Sequence, residues 1–136
     1  MGAFQINPVF SIPAGELTAQ ILDNNGAPVG QVEAASNFQI RVQWNFATQN
    51  PGWLIPVRVR AFADELGGPF DAPLPSANAL LPNFPNPGTA LLTVTATTLP
   101  DPSPNSSVYK IVVVLAGEGP QFHDISAFDE ATVSVR

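Results

Sequence analysis

Alternation of apolar and polar residues with a period of two recurs along the chain, and it restricts the fold more than any other feature. Phe38, Ile40, Val42, Trp44 and Phe46 fall on one side of an extended segment, with Gln39, Arg41, Gln43 and Asn45 on the other. Successive side chains of a strand point to opposite faces, so this segment reads as a half-buried strand. Val57, Val59, Ala61 and Ala63 repeat the pattern against Arg58 and Arg60, as do Val133 and Val135 against Thr132, Ser134 and Arg136. Helical periodicity is almost absent. Alternation of this kind implies antiparallel sheets with one wet face.

Two further segments read as strands by composition. Thr89–Thr98 is rich in threonine and β-branched residues, and Val108–Leu115 is apolar on both sides apart from Lys110. A strand apolar on both faces is expected to lie centrally, with its second face covered by a loop, a terminal segment or a partner. Glu16–Asp23 is a strand candidate, Asp23-Asn24-Asn25-Gly26 is a turn, and Val29–Ala34 reads as a short strand pairing back across that turn. Residues 66–88 form a connection holding six prolines, Pro69, Pro73, Pro75, Pro82, Pro85 and Pro87. Proline supplies no ladder donor, so no central strand runs there. The connection is expected to be packed down by Phe70, Leu74, Leu80, Leu81 and Phe84, with at most a short edge strand or one helical turn.

Length and composition bound the rest. A chain of 136 residues fits one domain, and 45% apolar residues can form its core without disulfides, which zero cysteines exclude in any case. The domain is placed at residues 14–136, and residues 1–13 are read as an N-terminal arm or edge strand. In that segment Phe4, Ile6, Val9 and Phe10 are the candidate contact residues for a neighbouring sheet edge. Charged residues make up 12%, about half the ~25% of an ordinary domain, and the net charge is −6. With only Arg41, Arg58, Arg60, Lys110 and Arg136 as cations, neither nucleic acid nor an anionic membrane surface is an expected partner. No apolar run reaches the ~18–20 residues of a membrane span, so membrane insertion is not expected either. No compartment follows from these features.

Catalytic chemistry is sparse. The single histidine, His123, neighbours Asp124 and Ser126, but adjacent residues of an extended chain diverge and do not build a relay. Asp64-Glu65 and Asp129-Glu130 are sequence-adjacent carboxylates that read as solvated turn residues and do not face one another across a glycosidase cleft. Asp23, Asn24 and Asn25, with Glu118, Asp124, Asp129 and Glu130 later, offer hard oxygen ligands, yet the first stretch is shorter than an EF-hand loop and lacks its distant glutamate. Neither a metal site nor a cofactor is expected. Loop aromatics are the remaining binding candidates: Trp53 after the Asn50-Pro51-Gly52 turn, and Phe70 and Phe84 in the proline-rich connection.

These readings add up to an all-β, antiparallel two-sheet Greek-key sandwich of about seven to eight strands. Phe38-x-Ile40-x-Val42-x-Trp44, Trp53–Val59, Val108–Val114 and Ala131–Val135 resemble the strands of immunoglobulin-like or fibronectin-III-like domains over residues 14–136. The cysteine pair of antibody domains is missing. The resemblance therefore implies architecture and transfers no functional residue. The expected function is a non-enzymatic protein-interaction or structural module, a subunit or accessory component of a larger assembly, working through a protein partner or self-association. The alternative is a carbohydrate-binding module using Trp53 with Phe70 or Phe84, its partner a glycan.

Overall fold

The computed structural model describes residues 2–5, 15–46, 52–53, 57–81, 84–85, 87–117 and 126–136. Three long strands, β2 (Gly15–Leu22), β4 (Phe38–Phe46) and β9 (Gly88–Val94), form one antiparallel sheet in the order β2-β4-β9. Four others, β6 (Val57–Glu65), β7 (Asp71–Leu81), β10 (Ser107–Gly117) and β11 (Ser126–Val135), form a second sheet in the order β7-β6-β10-β11. The chain is thus an all-β, immunoglobulin-like Greek-key sandwich. The proline-poor, alternating segments became its paired strands, each with one apolar row facing the other sheet.

That shared interior is continuous. Ile40 and Val42 from the first sheet, and Val57, Val59, Ile111, Val113 and Val133 from the second, are all at 0% exposure. Fully burying such a side chain contributes about 1.5–3 kcal/mol relative to leaving it in water. Trp44 is buried on the same face, its indole lying across Gly88, where a methyl group would overlap the ring.

β1 (Gly2–Gln5) joins the two sheets. Gly2 and Ala3 pair with Leu17 and Glu16 of β2, while Phe4 and Gln5 pair with Ala127 and Ser126 of β11. Residues 2–5 are therefore a strand of this domain, and Phe4 sits within it by register. Ile6, Val9 and Phe10 lie outside the described residues. Farther along the same seam, Asp129 is the buried carboxylate of β11, and its Oδ2 accepts a hydrogen bond from the Ala19 N–H at 2.8 Å. This corrects the reading of Asp129-Glu130 as turn residues: both are in mid-strand, Asp129 inward and Glu130 exposed.

Three expectations about strands need correction. β3 (Gln31–Val32) does not pair back across the Asp23–Gly26 turn but runs parallel to β11, with Gln31 opposite Ser134 and Val32 opposite Val135. The turn itself forms: Asp23 Oδ1 accepts from the N–H groups of Asn25 (2.8 Å) and Ala27 (2.9 Å), and Gly26 takes φ +86°. Asp23 N–H donates to the Ala27 carbonyl (2.8 Å) and Val29 N–H to the Ile21 carbonyl (3.1 Å), flanking a single Leu22–Pro28 bridge, and β3 then departs toward β11. The threonine-rich strand ends at Val94, where Thr95–Thr98 turn instead and Thr97 adopts φ +66°.

The third correction is β7. Residues 66–88 contain an eleven-residue edge strand where only a short one was expected. Asp71–Pro73 and Asn78–Leu81 pair with β6, but the segment between them bulges and turns Leu74 and Ala77 into the core. Pro73 and Pro75 sit on this outer strand, where a missing donor costs nothing in the sheet and discourages further pairing.

Candidate functional site

The outer face of the β7-β6-β10-β11 sheet is built by the residues that alternate with the core row. On β6 these are Arg58, Arg60, Phe62 and Asp64; on β10 they are Val108, Lys110, Val112, Val114 and Ala116. Cross-strand register aligns them in rows. Phe62 lies opposite Val112, which lies opposite Glu130, and Arg60 lies opposite Val114, which lies opposite Phe128. Directly opposed residues have Cβ atoms about 4.5–5.5 Å apart, so Phe62, Val112, Val114 and Phe128 form one apolar island.

The island is open to solvent. Phe128 is 40% exposed, and Phe62, Val112 and Val114 are half-buried. Val112 and Val114 gain shelter from their lateral neighbours, which explains how an apolar second face is accommodated on a central strand. Leu80, beside Arg58 on β7, and Val108, at the far end of β10, extend the patch at 51% and 39% exposure. Leu66, in the turn that donates its N–H to the Val108 carbonyl, adds a rim position.

Charges frame the island by sign. Arg58 and Arg60 stand toward one end of β6, Arg58 donating from Nη1 to Asn78 Oδ1 at 2.8 Å. Asp64 and Asp71 face each other across β6 and β7 at the other end. Between β10 and β11, Lys110 Nζ approaches Glu130 Oε1 at 3.9 Å, an exposed pair that contributes little to stability. Among the described residues, three cations, Arg58, Arg60 and Lys110, thus share this face with three acids, Asp64, Asp71 and Glu130.

The aromatics singled out in the sequence fall elsewhere and do not all meet. β5 (Gly52–Trp53) and β8 (Phe84–Pro85) form a separate two-stranded ribbon whose register sets Trp53 opposite Phe84. Phe70 lies beyond the other end of β6, about 30 Å of strand away. It is half-buried and meets Tyr109 edge-on, centroids 5.9 Å apart at 77°. Tyr109 is itself fully buried, and its hydroxyl has no hydrogen-bond partner among the described residues. Burial, and then the nearby Glu65 carboxylate, push that phenol above its ordinary range.

Leu80, expected to pack the 66–88 connection down, is instead 51% exposed, and Phe62 and Phe128 carry no mark in the sequence reading, although a signal for Phe128 exists. Extending the phase of Val133 and Val135 backward puts odd positions inward, which sends Phe128 out and Asp129 in. Of the polar candidates, His123, Glu118 and Asp124 lie outside the described residues. Among the described residues no group of three or more histidine, cysteine or carboxylate side chains is placed to hold a metal ion. Nor is any helix among them long and apolar enough to cross a membrane.

Neither a protein-family model nor a curated protein sequence matches the chain. Several solved structures are similar in outline. A Niemann-Pick type C2 protein from Japanese carpenter ant aligns over 93% of this chain and 96% of its own, at 11% identity and TM-score 0.45. A superoxide reductase (neelaredoxin) from Ignicoccus hospitalis covers 90% and 80%, at 16% identity and TM-score 0.41. An immunoglobulin-like protein from Pseudomonas aeruginosa covers 98% and 96%, at 11% identity and TM-score 0.41.

Proposed function

We propose that this chain is a non-enzymatic interaction module that binds a protein partner through the outer face of its β7-β6-β10-β11 sheet. One observation carries the reading: of the five large apolar side chains exposed among the described residues, Leu66, Leu80, Val108 and Phe128 lie on or beside this face. Scattered exposed apolar residues need no explanation, whereas a contiguous apolar centre with a polar and charged rim is the anatomy of a binding surface. The non-enzymatic part rests on the sequence, which supplies one histidine, no cysteine and no recognisable nucleophile motif.

Photo-cross-linking in the native host tests it. With p-benzoylphenylalanine replacing Phe128, discrete protein adducts are expected; the same probe replacing Leu91, on the other sheet, should give none. Equal adducts from both positions, or none from position 128, would overturn the reading.

A second reading, a glycan-binding module, is favoured by the backbone register that sets Trp53 opposite Phe84. Aromatic residues are the usual platforms for stacking on a sugar, and such contacts are sensitive to truncation. Quenching of tryptophan fluorescence by soluble glycans, lost in Trp53→Ala and in Phe84→Ala, would establish it. No response across a glycan array would remove it.

A further inference from the structure

We infer that the partner on this face is a second copy of the same chain, docked sheet to sheet with its strands antiparallel. The inference rests on the reading of the face as an interaction surface and adds the identity of the occupant. Its basis is the order of side chains along β6: Arg58, Arg60, Phe62, Asp64. Cations stand at one end, an acid at the other and an aromatic ring between them.

Such a sequence is complementary to itself when reversed. A two-fold axis lying in the interface and crossing the strands between Val112 and Val114 sets Val112 of each copy on Val114 of the other. The same axis brings Arg58 of each copy over Asp64 of the other, Arg60 over the ring of Phe62 and, on β11, Phe128 over Glu130, the carboxylate that Lys110 approaches within its own copy. Every contact occurs twice, as an isologous interface requires. Guanidinium over carboxylate and guanidinium over an aromatic face are both favourable pairings.

Net charge points to the same surface. The chain carries −6, so two copies repel over most of their surfaces. This face is locally balanced, with Arg58, Arg60 and Lys110 against Asp64, Asp71 and Glu130. It is where two copies approach at least electrostatic cost while covering apolar area.

Its size is adequate for a reversible dimer. Four strands at about 4.8 Å spacing and nine paired rows at about 3.4 Å outline roughly 600 Å² per copy. Roughly 1,200 Å² in total is at the lower end of specific interfaces, where weak and transient contacts are found.

Sedimentation equilibrium of the purified chain provides the test. A monomer–dimer equilibrium is expected below about 100 µM. Val112→Asp should abolish the dimer, and Arg58→Asp and Asp64→Arg should each weaken it by at least about tenfold. The double variant Arg58→Asp/Asp64→Arg should recover affinity to within about threefold, because exchanging the two charges restores the complementary order. Leu91→Asp, on the opposite sheet, should leave association unchanged. A monomer at about 1 mM, a double variant no better than the singles, or equal loss in Leu91→Asp would overturn the inference. If the chain is monomeric yet position 128 cross-links to a different protein, the interaction reading stands and the second copy falls. If position 128 yields no adduct at all, the interaction reading falls first.

Discussion

On β4, Gln39, Arg41, Gln43 and Asn45 cover the outer face of the β2-β4-β9 sheet, and Arg41 reaches across to hydrogen-bond Gln20 of β2. On β10, the equivalent positions are Lys110, Val112, Val114 and Ala116, flanked by Phe62 and Phe128. Both strands lie inside their sheets and both send an unbroken apolar row into the core. The difference is confined to the side facing water. Burial requirements fix the inner rows and leave the outer rows free, so an apolar cluster drawn from three adjacent strands, Phe62, Val112, Val114 and Phe128, calls for an explanation outside the fold. Among the described residues, Leu91 is the one large exposed apolar side chain on the first sheet, 55% exposed and neighboured by Arg41.

If the inner rows are equivalent, truncating either should cost the same. Ile40 and Ile111 are both fully buried, one in each sheet. Ile40→Ala and Ile111→Ala should each lose about 3 kcal/mol of unfolding free energy, the lost transfer energy plus that of the residual cavity. Urea denaturation followed by circular dichroism reads this directly. A cost several-fold smaller in one sheet would mean that the two halves of the core are not equally packed, and the outer-face contrast would lose its simple meaning.

Much of this architecture was legible in the residues. The phase of β4, β6 and the end of β11 follows from alternation, and the central place of β10 from its being apolar on both faces. β7 was hidden because its bulge puts Leu74 and Ala77 inward three residues apart, which breaks the period of two, and because its prolines mark it as non-strand. The pairing of β3 was hidden for a different reason. Local turn chemistry at Asp23–Gly26 points to a hairpin, whereas the Ala19 N–H that Gln31 would meet in that hairpin is taken by the Asp129 carboxylate, and β3 pairs with β11 instead. Phe128 is masked in the sequence by Asp129 next to it, whose charge points to solvent; the Ala19 N–H, 110 residues away, helps to hold that carboxylate inward. The pairing of Trp53 with Phe84 likewise depends on chain topology that no local pattern encodes.

Tyr109 offers a smaller effect on the second sheet alone. Its buried hydroxyl has no hydrogen-bond partner among the described residues, so Tyr109→Phe should be neutral or stabilising by up to about 1 kcal/mol at neutral pH. The raised phenol also sets a pH dependence. Below the unfolded value near 10 both states keep the proton and Tyr109 contributes fully. As pH rises above that value the unfolded chain releases its proton first, so stability falls until the folded phenol also ionises. Tyr109→Phe should flatten this alkaline limb. As Tyr109 is the sole tyrosine, ultraviolet absorbance reports its ionisation without interference from another phenol. An alkaline limb unchanged by Tyr109→Phe would assign the loss to other groups.

The smallest expected effect bears most directly on the two outer faces. Phe128→Ser and Leu91→Ser both remove a large apolar side chain that is already substantially in water, at 40% and 55% exposure. At protein concentrations well below dimerisation, each should change the unfolding free energy by no more than about 0.5 kcal/mol, the usual range for surface substitutions. A loss of about 2 kcal/mol in Phe128→Ser would mean that the ring is already packed within its own domain, as a buried aromatic edge would be. The apolar outer row would then be part of the fold, and the contrast between the faces would describe packing instead of docking. Near-zero effects at both positions, combined with weaker association only in Phe128→Ser, separate the two roles: the inner rows hold the sandwich together, and the outer row of the second sheet is free to bind.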